Sequence, residues 1–245
     1  MIDAYTHLDM SAGDPIADLE SRMDSAGVAR ALIVETWGRD NSACLDSLIT
    51  SAPSRFRVAL CFRPEEGELD PATLRSNVVT ALRVRTTDMQ AFGEDAANFA
   101  TSGRWLLPHA ESGISSLAKE LIGLSEQHPS LKIFLPHLGW PRHNGEDDCD
   151  WHNAISSLSR LPNIVVGVSA IAHFSQRPFP HEDIEPFAAH LLGVFGVTAL
   201  VAASDYPLME KSRYAEYMQL ARDWTGWRSD RPSRLDFNLF QESRG

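Results

Sequence analysis

Eight short apolar runs recur along the 245-residue chain, and stretches with helical periodicity separate them. This alternation is typical of repeated βα units, in which helices join buried parallel strands. Eight parallel strands close a barrel, and the chain length is near the roughly 250 residues typical of that fold. The sequence therefore predicts an α/β protein, a (β/α)8 TIM barrel that forms one domain over residues 1–245. The predicted strands are 2–7, 31–35, 56–62, 81–85, 105–109, 132–137, 164–169 and 200–205.

The stretches between these runs carry the periodicity and the start signals of helices. Pro15 and Pro71 each follow an aspartate, as in a helix with an N-cap and a first-turn proline. The stretch 93–103 fits either a helix or a loop. The clearest predicted helices are 14–27, 41–51, 112–127, 150–160, 182–195 and 212–227.

Four ionisable residues each end one of the apolar runs: His7, His109, His137 and Asp205. The carboxyl ends of parallel strands meet at one mouth of a barrel, where barrel enzymes build their active sites. We therefore predict an enzyme with these four as catalytic residues. A buried carboxylate needs a partner, so Asp205 is either a general base toward water, a metal ligand, or an ion-pair partner of an arginine. The histidines are suited to polarise a carbonyl or move a proton near neutral pH, and a satisfied core histidine is the alternative.

Two arginines on the fourth predicted strand, Arg83 and Arg85, share one face because they are two residues apart. Arginine keeps its charge, so at least one should reach the mouth or meet acidic partners. We expect Arg83 either to bind a substrate carboxylate or to join a network with acidic residues such as Glu35. Trp140 and Arg177, on the long loops 140–149 and 171–181, are further substrate-binding candidates.

Composition limits the partners. A net charge of −11 argues against nucleic acid or an anionic membrane, since both need clustered positive charge. No apolar stretch approaches the roughly 18 residues of a membrane span, and the chain enters a strand at Ile2, so a cytoplasmic location is the expectation. Three cysteines lack metal-type spacing and read as packing or loop thiols. Six tryptophans and the apolar segment 237–240 are compatible with an interface between copies of the chain.

Several short motifs resemble the amidohydrolase superfamily, in the same order along nearly the whole chain. The chain is most similar to the branch that contains metal-dependent decarboxylases and the pyrone-dicarboxylate and muconolactone-type lactonases. The first motif, Ile2-Asp3-Ala4-Tyr5-Thr6-His7, resembles that superfamily's opening Asp-x-His-x-His strand. The other motifs are Gly38-Arg39-Asp40-Asn41, Ala81-Leu82-Arg83-Val84, Pro136-His137-Leu138-Gly139-Trp140-Pro141, Ser204-Asp205-Tyr206-Pro207 and Asn238-Leu239-Phe240.

One position departs from that pattern: Tyr5 stands where the superfamily has its first metal-binding histidine. A phenol with an ordinary pKa near 10 must lose its proton to bind a metal well. The resemblance leaves His7, His109 and Asp205 as an incomplete ligand set for one divalent ion, Zn or Mn. It also implies metal-free hydrolysis, as in the pyrone-dicarboxylate lactonases, and we favour no cofactor. Tyr5 itself either hydrogen-bonds the substrate or packs.

The predicted function is hydrolysis of a small, carboxylated lactone or related acyl compound. Water activated by Asp205 would attack a carbonyl polarised by histidine. Two alternatives stay open. One is a metal-dependent decarboxylase or lyase of the same superfamily, and the other is a non-catalytic barrel that binds a small ligand or a protein partner.

Overall fold

A computed structural model describes residues 1–38, 41–66, 75–141 and 148–226. Within them, eight strands form one sheet in sequence order, and each strand pairs in parallel with the next. The predicted single-domain (β/α)8 barrel fold is confirmed. The strands are β1 (Ile2–Thr6), β2 (Arg30–Val34), β3 (Phe56–Cys61), β4 (Val79–Arg85), β5 (Trp105–His109), β6 (Lys132–Leu135), β7 (Ile164–Val168) and β8 (Leu200–Ala202).

The seam between β8 and β1 nearly closes the barrel through main-chain hydrogen bonds just beyond the strands. Asp205 N donates to Tyr5 O at 2.9 Å, and His7 N donates to Tyr206 O at 2.6 Å. On its other side, the register of β1 against β2 shifts between Asp3 and Thr6. Closure places the end of β1 beside the residues that follow β8.

A buried carboxylate, Asp3, supports this seam. It accepts hydrogen bonds from Ser204 N at 2.9 Å, Ser204 Oγ at 2.6 Å and Tyr214 Oη at 2.9 Å. Burial raises its pKa to about 6, although the hydrogen bonds from Ser204 and Tyr214 act in the opposite direction. Asp3 therefore ties β1 to the chain after β8 and to the last described helix.

All six predicted helices are present, and residues 93–101 of the undecided stretch 93–103 belong to a helix. Asp14 accepts hydrogen bonds from Ile16 N and Ala17 N at 3.1 and 3.0 Å, which confirms the predicted N-cap before Pro15. A short helix within loop 171–181 was not predicted. The helices are α1 (Pro15–Ser25), α2 (Ser42–Ser51), α3 (Met89–Thr101), α4 (Ala118–Gln127), α5 (Cys149–Leu158), α6 (Ile171–Phe174), α7 (Glu185–Phe195) and α8 (Tyr214–Thr225).

Several predicted strands extend past the observed ends, and His7, His137 and Asp205 are among the residues that lie beyond those ends. β6 ends at Leu135 because Pro136 has no N–H to continue the ladder. His137 and Asp205 then adopt left-handed backbone angles, with φ of 56° and 59°. His137 and Asp205 therefore belong to turns that begin where their strands stop, whereas His109 is the last residue of β5.

Aliphatic and aromatic side chains fill the barrel interior beneath the mouth. Tyr5, Trp105 and Phe134 are the large members of this cluster, and small residues make room for them. A β-carbon at Gly167 would lie 2.9 Å from Phe134 Cε2, so the close approach of β7 to that ring requires glycine. A second apolar layer packs between the strands and the helices.

The described residues leave several of the predictions untested. None of the described helices is both long and apolar enough to span a membrane. The cytoplasmic location and an interface between copies stay predictions. Arg39, Asp40, Pro71, the segment 142–147 of one predicted loop, and the C-terminal segments 237–240 and Asn238-Leu239-Phe240 lie outside the described residues.

Candidate active site

The four ionisable residues predicted at the strand ends line one cavity of about 520 Å³ at the mouth of the barrel. Arg83 and Trp140, two of the predicted substrate-binding residues, line the same cavity. The structure thus brings together six side chains that are spread from position 7 to position 205. Other described lining residues include Thr36, Glu111, Gly113, Pro141, Ala170, His173, Phe174 and Leu208.

Asp205 is buried, and its Oδ1 atom faces two imidazoles. Oδ1 lies 3.7 Å from His7 Nε2 and 3.9 Å from His137 Nε2. It has no hydrogen-bond partner within the described part of the chain. Burial raises the pKa of Asp205 to about 8; the Arg83 cation opposes this rise, and Asp3 adds to it. A carboxyl group in this position can exchange a proton with a bound molecule near neutral pH.

A main-chain contact determines which ring nitrogen of His7 carries the proton and which one faces Asp205. Its Nδ1 lies 2.5 Å from the main-chain oxygen of Val34, which can only accept a hydrogen bond, so Nδ1 carries the proton. In the neutral ring, Nε2 is therefore the unprotonated nitrogen, and it faces the carboxylate.

His137 is held by Ser169. Ser169 Oγ accepts a hydrogen bond from His137 N at 3.0 Å and lies 3.0 Å from His137 Nδ1. Burial, followed by the nearby Arg83 cation, lowers the pKa of His137 well below its usual value. The ring is neutral, and its Nε2 points toward Asp205.

Arg83 crosses from β4 into the cavity wall. Its Nη1 donates to the main-chain oxygen of Glu35 at 3.1 Å, and its Nη2 donates to His109 Nδ1 at 2.9 Å. The alternative ion pair with the Glu35 carboxylate does not form, because that carboxylate accepts hydrogen bonds from Arg63 and from Cys61 N. Both acceptors of Arg83 are thus uncharged, and its Nε has no partner among the described residues.

His109 uses both ring nitrogens within the protein. Because a guanidinium can only donate, Nδ1 is the acceptor, and the ring proton sits on Nε2. Nε2 lies 2.8 Å from Glu111 Oε1 and donates to it. Burial, together with the Arg83 cation, lowers the pKa of His109 to about 4, which keeps the ring neutral. Trp140 packs edge-on against this ring, with centroids 4.9 Å apart.

Tyr5 and Arg177, two further substrate-binding candidates, lie outside the lining of the cavity. Tyr5 is fully buried in the barrel interior, with its ring edge-on to His137 at 4.5 Å, and its hydroxyl has no partner in the described chain. Arg177 has a side chain that is 63% exposed and that pairs with Glu182. Contact of either residue with a substrate stays a prediction.

Two of the side chains that the resemblance associates with a divalent metal, Tyr5 and His109, are not suited to bind one. Burial raises the pKa of Tyr5, so its phenol stays protonated and binds metals poorly. His109 has no lone pair to offer, because Arg83 donates to one nitrogen and the other carries a proton bound by Glu111. Among the described residues, no group of three or more His, Cys, Asp or Glu side chains is placed to hold an ion.

Sequence reasoning missed Glu111, Phe174 and Leu208 as residues of the cavity. Glu111 is two positions beyond His109 and Leu208 three beyond Asp205, so each lies on the turn that follows a predicted strand end. Proximity to those ends was the available signal. Phe174 lies on α6, within the loop 171–181 that the sequence marked for substrate binding, although neither the helix nor this residue was predicted.

Comparisons with known proteins agree with this architecture. The sequence model of the Amidohydrolase family matches residues 3–229. An amidohydrolase of Burkholderia multivorans with bound HEPES superposes with a TM-score of 0.74 at 20% identity, covering 97% of this chain and 94% of that one. The same protein has also been crystallised with zinc. A Pseudomonas putida protein classed as a 2-pyrone-4,6-dicarboxylic acid hydrolase superposes with a TM-score of 0.72 at 17% identity, covering 94% and 91%.

Sequence similarity to curated proteins is more local. The chain is 27% identical to an L-fucono-1,5-lactonase of Burkholderia ambifaria over 110 residues, which is 44% of this chain. The matches to the two first curated relatives cover only 36% and 30% of those proteins' own lengths.

Proposed function

We propose, from the premise that this chain belongs to the amidohydrolase family and is an enzyme of that superfamily, that it hydrolyses a small, carboxylated lactone or a related acyl compound. The observation that carries the proposal is Asp205 Oδ1, a buried oxygen without a hydrogen-bond partner in the described chain, less than 4 Å from two histidine nitrogens. A buried acceptor left in that state is suited to take a proton from a bound water.

In the proposed reaction, Asp205 first removes a proton from water, and the resulting hydroxide attacks the lactone carbonyl carbon. The ring C–O bond then breaks, and the protonated Asp205 returns its proton to the leaving alkoxide. The products are therefore one hydroxyl group and one carboxylic acid, which ionises near neutral pH and releases one proton to the solvent. His7 Nε2, which has no proton in the neutral ring, can accept the second hydrogen of the water and orient it.

His137 is suited to polarise the carbonyl. Ser169 Oγ accepts from His137 N and can donate its own hydrogen to Nδ1, which leaves the ring proton on Nε2. Nε2–H then donates to the carbonyl oxygen as negative charge develops on it. Donors fixed in a dry cavity stabilise such charge more than water does.

Arg83 is suited to bind the substrate carboxylate. Its hydrogen bonds to Glu35 O and His109 Nδ1 fix the guanidinium without neutralising it. The guanidinium lines the cavity, and its remaining N–H groups are suited to bind an anionic oxygen. In this proposal, the permanent positive charge comes from a side chain, and hydrolysis proceeds without a bound metal.

The local similarity to a lactonase supports this choice of substrate class. The test is a panel of neutral, monocarboxylated and dicarboxylated lactones, with proton release and carbon dioxide release measured in parallel, before and after exhaustive dialysis against a chelator. We expect proton release without carbon dioxide, and an unchanged rate after dialysis. Release of carbon dioxide from a carboxylated substrate, dependent on added Zn or Mn, would instead favour the decarboxylase alternative.

A further inference from the structure

The two ring nitrogens of His109 contact side chains of opposite charge. Arg83 Nη2 donates to Nδ1 at 2.9 Å, and Nε2 donates to Glu111 Oε1 at 2.8 Å. A neutral imidazole has one proton, so these two contacts are compatible only when it sits on Nε2. With the proton on Nδ1, two donors would face each other and the hydrogen bond from Arg83 would be lost.

Glu111 differs from the other members of this chain of hydrogen bonds in its exposure. Its side chain is 77% exposed, whereas the side chain of His109 is 9% exposed, and both line the cavity. A carboxylate accepts a hydrogen bond strongly and cannot donate one, so it favours the proton on Nε2. Glu111 thus acts on the ring of His109 from the solvent side.

From these contacts, and resting on the proposed function, we infer that Glu111 and His109 are positioning residues that hold Arg83 for the substrate carboxylate. Glu111 selects the Nε2–H tautomer of His109, and the Nδ1 lone pair then fixes the guanidinium. A neutral acceptor serves this purpose better than a carboxylate, because a carboxylate beside Arg83 would offset the charge that the substrate needs. His109 is in this view neither a general base nor a metal ligand.

The first test compares two substitutions at Glu111. Glu111→Ala removes the acceptor, and we expect the KM of a carboxylated lactone to rise about tenfold, with a smaller change in kcat and no change for a neutral lactone. Glu111→Gln keeps an acceptor oxygen, so its KM should stay within about threefold of wild type. Glu216→Ala is the matched control, because Glu216 is a half-exposed glutamate on α8 that also has a side-chain partner, Arg213.

A double-mutant cycle tests the route through His109. In His109→Asn, the amide oxygen can replace Nδ1 as the acceptor, and no ring tautomer is left for Glu111 to select. Adding Glu111→Ala to this variant should therefore change KM by less than about twofold. An equal effect of Glu111→Ala in both backgrounds would overturn the inference, as would a lower KM in Glu111→Gln, which would mean that Glu111 simply repels the substrate.

A measurement without substrate separates this inference from the proposed function. In ¹⁵N NMR of the imidazole nitrogens, His109 should show an unprotonated Nδ1 in the wild-type protein and a loss of that preference in Glu111→Ala. A protonated Nδ1 in wild type contradicts the positioning chain even if lactones are hydrolysed. If no lactone is hydrolysed but the tautomer is as described, the proposed function fails and the positioning of Arg83 stands.

Discussion

Two buried carboxylates, Asp3 in the seam and Asp205 at the mouth, occupy neighbouring places in the barrel and differ in what surrounds them. Both are more than nine-tenths buried, and burial raises the pKa of each, to about 6 and about 8. Asp3 accepts hydrogen bonds from Ser204 N, Ser204 Oγ and Tyr214 Oη, whereas Asp205 Oδ1 accepts none within the described chain. Burial alone therefore does not mark a functional carboxylate in this molecule.

The difference lies in the hydrogen bonds. Desolvation raises the pKa of both groups, but the donors around Asp3 stabilise its charged form and offset part of that rise. Among the described residues, the Arg83 cation is what offsets the rise at Asp205. The seam therefore uses its carboxylate to join elements, whereas in the proposed function the carboxylate at the mouth accepts a proton from a bound molecule.

The largest expected effect is on turnover. Asp205→Asn removes the proton acceptor, so kcat/KM should fall about a thousandfold. The same change removes a buried carboxyl that has no partner for Oδ1, so the free energy of unfolding at pH 8 should not fall. Steady-state kinetics and denaturant titration measure the two quantities. Turnover near the wild-type rate would contradict the role of Asp205 as the proton acceptor.

Asp3→Asn should change how the free energy of unfolding depends on pH. The folded-state pKa of about 6 lies above the unfolded value of 3.8, so the favourable contribution of protonated Asp3 is present below pH 3.8 and is lost as pH rises through about 6. The two values differ by about 2 pH units, which corresponds to about 3 kcal/mol. Asn does not titrate, so the difference in unfolding free energy between variant and wild type should change by that amount between pH 4 and 7. We expect kcat/KM to stay within about tenfold, and a loss as large as that of Asp205→Asn would contradict the division of roles.

Two serines, one at the mouth and one at the seam, allow the same comparison with smaller expected effects on kcat and on stability. Ser169→Ala deprives His137 of the partner for its N and Nδ1, so kcat should fall about tenfold, and the unfolding free energy should fall by about 1 to 2 kcal/mol. Ser204→Ala leaves Asp3 without its donor Oγ, so the unfolding free energy should fall by about 1 to 2 kcal/mol with little change in kcat. Kinetics and thermal unfolding of both variants check this, and equal effects on kcat would argue against it.

The smallest expected effect is at Arg177. Its exposed guanidinium pairs with Glu182 outside the lining of the cavity, so Arg177→Ala should leave kcat/KM within about twofold. A larger loss for carboxylated substrates than for neutral ones would restore Arg177 as a substrate-binding residue.

The sequence predicted the barrel and the polar residues at its mouth because both depend on local patterns. Apolar runs locate strands, and a residue at the end of a run is placed at the mouth by the parallel topology itself. His7, His109, His137 and Asp205 are therefore found from position alone.

The hydrogen bonds at the mouth and the seam could not be predicted, because they join strands that are distant in the sequence. The ion pair between Arg83 and the Glu35 carboxylate was a reasonable alternative, but Arg63 takes that carboxylate and leaves Arg83 to His109. The support that Asp3 gives the seam depends on Ser204 and Tyr214, about 200 residues away. Side-chain partners of this kind follow from packing and not from periodicity.

The most direct test of Asp205 as the general base is the pH dependence of kcat/KM. It is measured with the wild-type enzyme, after dialysis against a chelator, on a lactone that the enzyme hydrolyses. Asp205 accepts a proton only when it is ionised, and its pKa is about 8. If Asp205 is the general base, kcat/KM rises about tenfold per pH unit below that value and levels off above it. A rate that is constant between pH 6 and 9, or that falls as pH rises, would contradict the role of Asp205 as the general base.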